Sequence, residues 1–435
     1  MRLPRFLSQN HIIGGTVILA LTQFGASFMG LIRDSVFNRV LSEGVTDVYF
    51  AAFRPSDFLF QTCIMAAMGT VLVPVLAGHK AHGRKDEISK VLSGSMFLGG
   101  LVFGLIALVL ALALPYVAPL LVSFQGEKLA LYISFGRIVL LSNFLLVFGN
   151  TLGQYLITSQ RYWIYGITPI IYTLGTVLGA LFLTPYVGDF GPIVGTVAGA
   201  AIYVLLRLIV ALRIGFKPVS KVWHPDFPGM GALMLPRILS LGAMQLQLLF
   251  FDKVASGLAE GSVSINVYAR NFQSVLVGVT GIALAQSAYS LLGQSAAWKN
   301  EKLFKKYMTW GIGVLLLITI PGSVALVLLA PIVARVIGIE SIKIFSMALL
   351  VYSISIPFES MNHLLLRAFY ATKLTLIPAL ASVANAIVAV GTATYFSSTM
   401  GLYAIGLGFT AGHIVQLLAL AVMLPHALKR VRGDV

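Results

Sequence analysis

The sequence predicts an all-α polytopic membrane protein of about twelve transmembrane helices, arranged as two pseudo-symmetric six-helix lobes around a central cavity. Three observations lead there. Of the 435 residues, 58% are hydrophobic and only 10% charged, whereas soluble globular chains carry about 25% charged residues. Apolar runs of the ~20 residues that a spanning helix needs recur along the whole chain. The two halves also echo one another at the same helix junctions.

The first span covers residues 11–32, after the basic start Arg2 and Arg5. The second, 47–76, is over-long and expected to break near Pro55. A basic loop with Lys80, Arg84, Lys85 and Lys90 follows. Residues 91–126 carry no charge and fit one helix, a turn at Leu114-Pro115 and a short re-entrant or surface piece. The fourth span, 128–157, is interrupted by Arg137. The fifth and sixth cover 162–182 and 192–212. The polar connection with Lys217, His224 and Asp226 lies near mid-chain and divides an N-lobe (1–216) from a C-lobe (230–435) through a linker (217–229). Six further spans fit at 230–258, 263–292, 310–336, 344–370, 374–396 and 401–424.

An even number of spans puts both termini on one side. Both ends and the loops near Lys80, Lys217 and Lys302 are strongly basic, which predicts a plasma-membrane protein with both termini cytoplasmic. The formal net charge of +15 then reflects loops facing anionic membrane lipids and not a nucleic-acid partner. The single cysteine, Cys63, excludes an intrachain disulfide and a multi-cysteine metal centre.

The first helix junction departs from this pattern. Arg33, Asp34, Arg39, Glu43, Asp47, Arg54 and Asp57 sit among residues otherwise suited to lipid. A charge at the centre of a spanning helix costs roughly 2.5–3.5 kcal/mol on insertion scales, so such groups face each other or a water-filled path. The alternative is a charged hairpin lying on the membrane surface. The second half repeats the junction. Asp34, Leu41-Ser42-Glu43-Gly44, Tyr49, Phe53 and Lys80 are echoed by Asp252, Leu258-Ala259-Glu260-Gly261, Tyr268, Phe272 and Lys299. Two six-span repeats in the same orientation are the signature of a transporter with its substrate site at the repeat interface.

Enzymatic constellations are missing from the sequence. There is no His-Glu-x-x-His, no Gly-rich phosphate loop ending in Lys-Ser/Thr and no Gly-x-Ser-x-Gly elbow, so a non-enzymatic protein without a bound cofactor is expected. The seven histidines are scattered. Glu359, His363 and Arg367 share one helix face and read as a mutually satisfied polar stripe. Any transport must draw on an ion gradient, the membrane potential or the substrate's own gradient.

The motifs Gly30-Leu31-Ile32-Arg33-Asp34, Thr46-Asp47-Val48-Tyr49-Phe50-Ala51-Ala52-Phe53 and Val73-Pro74-Val75-Leu76-Ala77 resemble those of the MurJ/MviN lipid II flippases of the MOP exporter superfamily. So do Leu235-Pro236-Arg237-Ile238-Leu239, the run ASGLAEGSVS from Ala255, Tyr268-Ala269, and RAFYATK from Arg367 followed by Pro378. The resemblance implies a MATE-like fold and a cavity alternating between the two membrane faces. The implied cargo is an undecaprenyl-diphosphate-linked peptidoglycan precursor carried to the outer leaflet, and cell-wall synthesis enzymes are the implied partners. The implied cavity residues are Arg33, Asp34, Asp47, Arg54, Asp57, Gln61, Arg237, Arg270 and Asn271, and the implied sodium site is Asp252 with Asn385. Family arginines are replaced at Ser27, at Phe60 or Gln61 and at Asn271. Those replacements keep two alternatives open: export of another polyprenyl-linked oligosaccharide or a small cationic molecule, and a non-transporting cell-wall scaffold.

Overall fold

A computed structural model describes residues 12–65, 72–220 and 222–433; Arg2, Arg5 and Lys221 lie outside the described residues. Among those described there are helices and turns and no strands. The helices are α1 (Ile12–Val40), α2 (Glu43–Leu59), α3 (Val73–Ala81), α4 (Lys85–Leu121), α5 (Gly126–Thr158), α6 (Tyr162–Leu178), α7 (Thr184–Val187) and α8 (Gly191–Arg213). They continue as α9 (Phe227–Ala255), α10 (Ser262–Val277), α11 (Ala283–Ala297), α12 (Glu301–Ile337), α13 (Ile342–Ser353), α14 (Ser355–Ala371), α15 (Leu376–Met400) and α16 (Tyr403–Arg432).

Ten segments among the described residues are long and apolar enough to cross a membrane. One of them, Tyr162–Arg213, holds both the fifth and the sixth predicted spans, as α6 and α8. The second predicted span is α2, a π-helical stretch Phe60–Met65 and α3, on either side of residues outside the described set. That combination reconciles ten segments with the twelve predicted spans.

The chain divides into two compact units. One holds the chain up to Leu120 together with Phe124–Leu241, and the other holds Leu121–Ser123 with Gly242–Val435. In the first unit α6 and α8 pack backbone to backbone. A Cβ on Gly175 would lie 2.6 Å from Gly199 Cα and 2.7 Å from the Gly195 carbonyl, the small-residue spacing that lets membrane helices approach closely. Tyr49 of α2 joins this pair, its hydroxyl 3.0 Å from Thr196 Oγ1, which lies 2.8 Å from Thr176 Oγ1. In the second unit α11, α12, α14 and α16 enclose a core of Leu292, Phe304, Leu364, Phe369 and Leu420.

The internal repeat extends to irregularities. A π-helical stretch interrupts the second span at Phe60–Met65, and another interrupts the eighth at Gly278–Ile282. The helices α4 and α12 are each 37 residues long, and each carries two prolines. Neither helix reads this way from its prolines alone.

Two expectations are corrected. α2 runs unbroken through Pro55, and the irregularity falls after it, at residue 60. The turn at Leu114-Pro115 does not form, because α4 continues through Pro115 and Pro119 to Leu121. Pro115 has no N–H for the carbonyl four residues earlier, that of Ala111. Arg137 of α5 supplies the missing donor, its Nε donating to Ala111 O at 3.0 Å. The arginine that interrupts the fourth span thus completes the ladder of the third.

Arg137→Leu should therefore remove that donor and lower stability by about 1 kcal/mol. Combined with Pro115→Ala, which restores the helical N–H, the same substitution should cost much less. Thermal unfolding of the four proteins in detergent checks this as a double-mutant cycle; equal losses in both backgrounds would refute the pairing.

Candidate functional site

The charged junction is built by a tight reversal. α1 ends at Val40, and Ser42 caps α2 by accepting from the Val45 N–H at 3.3 Å. Near the end of α1, Arg33 Nε and Nη2 both donate to Asp34 Oδ1, at 3.0 and 2.7 Å. The Arg33 guanidinium also stands 5.2 Å from the centre of the Phe50 ring on α2, a cation–π contact between the two helices. Phe50 is held edge-on by Tyr49, and Tyr49 in turn by Phe37 of α1. Arg33 therefore has a fixed position while its side chain keeps 23% exposure.

Asp34 and Asp47 are 2% and 3% exposed. Both carboxylates are therefore packed within the protein. Further along α2, Asn143 of α5 donates to Ser56 Oγ at 2.8 Å and to Asp57 Oδ1 at 3.1 Å. Arg54 and Gln61 are half-buried, Gln61 within the π-helical stretch. Within this unit the structure groups Arg33 with Asp34 and couples Asp57 to the fourth span. Arg237 belongs to α9, but its side chain lies outside the described residues.

In the second unit Arg270 and Asn271 are half-buried on α10. One turn on, Gln273 donates to Ser355 Oγ at 3.1 Å and to Glu359 Oε2 at 2.6 Å on α14. This clamp joins the eighth and tenth spans as Asn143 joins the fourth to the second. Glu359 lies 4.0 Å from both His363 Nε2 and His413 Nε2. Asn362 donates to the His413 carbonyl at 2.9 Å, and Asn385 to Gln416 Oε1 at 2.8 Å. The Glu359–His363 stripe is thus part of a partly buried polar network spanning α10, α14, α15 and α16. Asp252 is buried near the end of α9, and Asn385 is buried on α15, where its Oδ1 has no hydrogen-bond partner among the described residues.

Sequence reasoning passed over Asn143, Gln273 and Arg207. Arg207 is 1% exposed in the middle of α8. It donates to Thr168 Oγ1, the Gly149 carbonyl and the Tyr165 carbonyl at 2.8–2.9 Å, and stacks 3.9 Å from the Tyr203 ring centre. Its position inside an apolar span was the available signal. The tie it makes among α5, α6 and α8 depends on residues up to 58 positions away.

Comparison with known proteins adds the family. A family model described as lipid II flippase MurJ matches residues 41–434. This chain belongs to the lipid II flippase MurJ family. A probable lipid II flippase MurJ of Thermotoga maritima is 25% identical over 411 residues, covering 92% of this chain and 82% of that protein. Its counterpart in Vibrio cholerae is 26% identical over 350 residues, covering 74% of this chain and 64% of the relative, so the match spans less than two thirds of that protein. Among solved structures, lipid II flippase MurJ in an inward closed conformation superposes with a TM-score of 0.79 at 20% identity, over 96% of this chain and 90% of that one. An inward-facing multidrug resistance MATE family transporter of the MOP superfamily gives 0.78 at 17% identity, over 94% and 95%. At these identities the superpositions establish a shared fold.

Arg207→Leu should remove three hydrogen bonds from a buried guanidinium that ties α5, α6 and α8 and destabilise the first unit by roughly 3 kcal/mol. Arg207→Lys should recover little, since an ammonium cannot reproduce the planar fork. Melting temperatures in detergent test both; a lysine variant as stable as the parent would contradict the fork argument.

Proposed function

We propose that this protein carries an undecaprenyl-diphosphate-linked peptidoglycan precursor, lipid II, from the cytoplasmic to the outer leaflet by alternating access. The observation that carries the reading is the family match over residues 41–434, which includes the α2 face that holds Arg33 in place. The physical problem is the headgroup. A diphosphate with sugars and a peptide cannot cross hydrocarbon unaided, because its charges would lose their hydration without replacement. A guanidinium pre-positioned by Asp34 and Phe50 offers a planar donor set that matches phosphate oxygens, and the isoprenoid tail remains in lipid.

In this reading Arg33 receives the diphosphate, and Asp34 both orients it and limits how tightly it holds. Asp47, Arg54, Asp57, Gln61, Arg237, Arg270 and Asn271 are proposed as further polar groups along the path. Both termini are cytoplasmic, and the chain lies in the plasma membrane, where cell-wall synthesis enzymes would receive the flipped product. For coupling, sodium suits the second unit. Among the described residues the buried Asn385 Oδ1 acceptor has no hydrogen-bond partner, the Asp252 carboxylate is also buried, and hard cations take oxygen ligands of these two kinds.

Complementation tests the proposal. In a bacterium depleted of its own lipid II flippase, this chain should restore growth and the exposure of lipid II at the outer surface. Arg33→Ala should abolish rescue while insertion and abundance stay normal, and Arg33→Lys should be strongly impaired. Rescue by Arg33→Ala would remove Arg33 from the diphosphate path. Asn385→Leu should abolish any sodium-dependent rise in melting temperature; an unchanged rise would exclude Asn385 as a ligand.

A further inference from the structure

Two histidines 145 residues apart in sequence meet in the first unit. His79 sits at the end of α3, and His224 in the connection between α8 and α9. Between them lies Asp226. Its Oδ2 is 2.9 Å from His79 Nε2 and 3.4 Å from His224 Nδ1. The three ligand atoms all lie within 4.8 Å of one another. A tetrahedral ion with bonds of about 2.0–2.1 Å to nitrogen and oxygen has ligand–ligand edges of roughly 3.3 Å, so the two edges to Asp226 already approach the right length.

A fourth group supplies an independent sign. His224 Nε2 lies 2.8 Å from Glu87 Oε2 at the start of α4. An Nε2–H donated to Glu87 fixes the tautomer that leaves the Nδ1 lone pair facing Asp226. A carboxylate behind a ligating histidine is the usual outer support of a metal-bound imidazole. The Asp226 backbone N–H, 3.2 Å from Nδ1, makes the contact that a metal would replace. His224 itself is 4% exposed, so its ring is held in place by packing as well.

The approach of the connection to α4 is also built in. Lys217 N–H and Val219 N–H donate to Ser89 Oγ and Ser93 Oγ, at 3.2 and 3.1 Å. A Cβ at Gly94 would lie 2.8 Å from the Val222 carbonyl, so glycine there permits the connection to lie against the helix.

We propose that His79, His224 and Asp226 form a binding site for a divalent transition-metal ion of the zinc class, with Glu87 positioning His224. The donor set of two imidazoles and a carboxylate suits Zn2+ and its neighbours over Mg2+ or Ca2+. Three protein ligands leave a position for water, so the ion exchanges with solvent. Once bound, it fastens the α8–α9 connection to the ends of α3 and α4.

The test uses the full chain, purified in detergent without a histidine tag, stripped with EDTA and titrated with Co2+ and Zn2+. One Co2+ per chain, with the visible bands of four-coordinate nitrogen and oxygen ligation and displaced by Zn2+, is expected. His79→Ala and His224→Ala should each weaken binding at least ~10-fold, and Glu87→Gln by about 10–100-fold. His82→Ala, an exposed neighbour, should change nothing. A variant that merely misfolded could also lose binding, so His79→Cys is the decisive companion: a thiolate ligand should restore binding and add a sulfur-to-cobalt charge-transfer band. No stoichiometric Co2+, binding indifferent to the His79 and His224 substitutions, or no such band in His79→Cys would overturn the proposal.

Discussion

A backbone carbonyl with no donor is expensive in hydrocarbon, and this chain repeatedly answers that constraint with arginine. Arg137 caps the carbonyl orphaned by Pro115. Arg207 donates to two further carbonyls at a point where three helices meet. Charges that look out of place in apolar spans thus have two separate employments. Some complete the backbone hydrogen bonding of the bundle, and others, such as Arg33 with Asp34, form a charged group that keeps partial exposure. The distinction cannot be made by residue type. It depends on whether the partner is a main-chain oxygen or another ionisable side chain.

The helical spans were legible because hydrophobic length is a local property. The runs at 162–182 and 192–212 could be read without knowing what they pack against, and the structure places α6 and α8 there. The internal repeat was legible for a related reason, since its markers fall at turns. Proline was the source of error. Pro55 and Pro115 read as breaks, yet both lie within continuous helices. In the case of Pro115 the compensating donor comes from another helix, which no local window contains.

The partnerships within the bundle were hidden for the same reason. Nothing near Asn143 announces that it will meet Ser56 and Asp57, and nothing near Gln273 announces Glu359. The same pair of spans in each unit nevertheless carries an amide clamp. A repeated helix pairing has kept a polar tie while changing its residues, from Asn to Gln on one side and from Asp to Glu on the other, and the donor now sits on the opposite member of the pair. His79 and His224 are the extreme case, with 145 residues separating two side chains whose rings lie 5.6 Å apart.

The length of α4 has a mechanical consequence. At about 1.5 Å per residue its 37 residues span roughly 55 Å, more than the ~40–45 Å of a bilayer with its headgroups. A helix of that length tilts or protrudes, and its charged first turn, with Asp86 and Glu87, is the end suited to water. The overhang stands like a mast: the continuation of a membrane helix that carries its rigging, Ser89, Ser93 and the Glu87–His224 contact, at its charged end. One helix thus both crosses the lipid and, at its charged end, holds the segment joining α8 to α9.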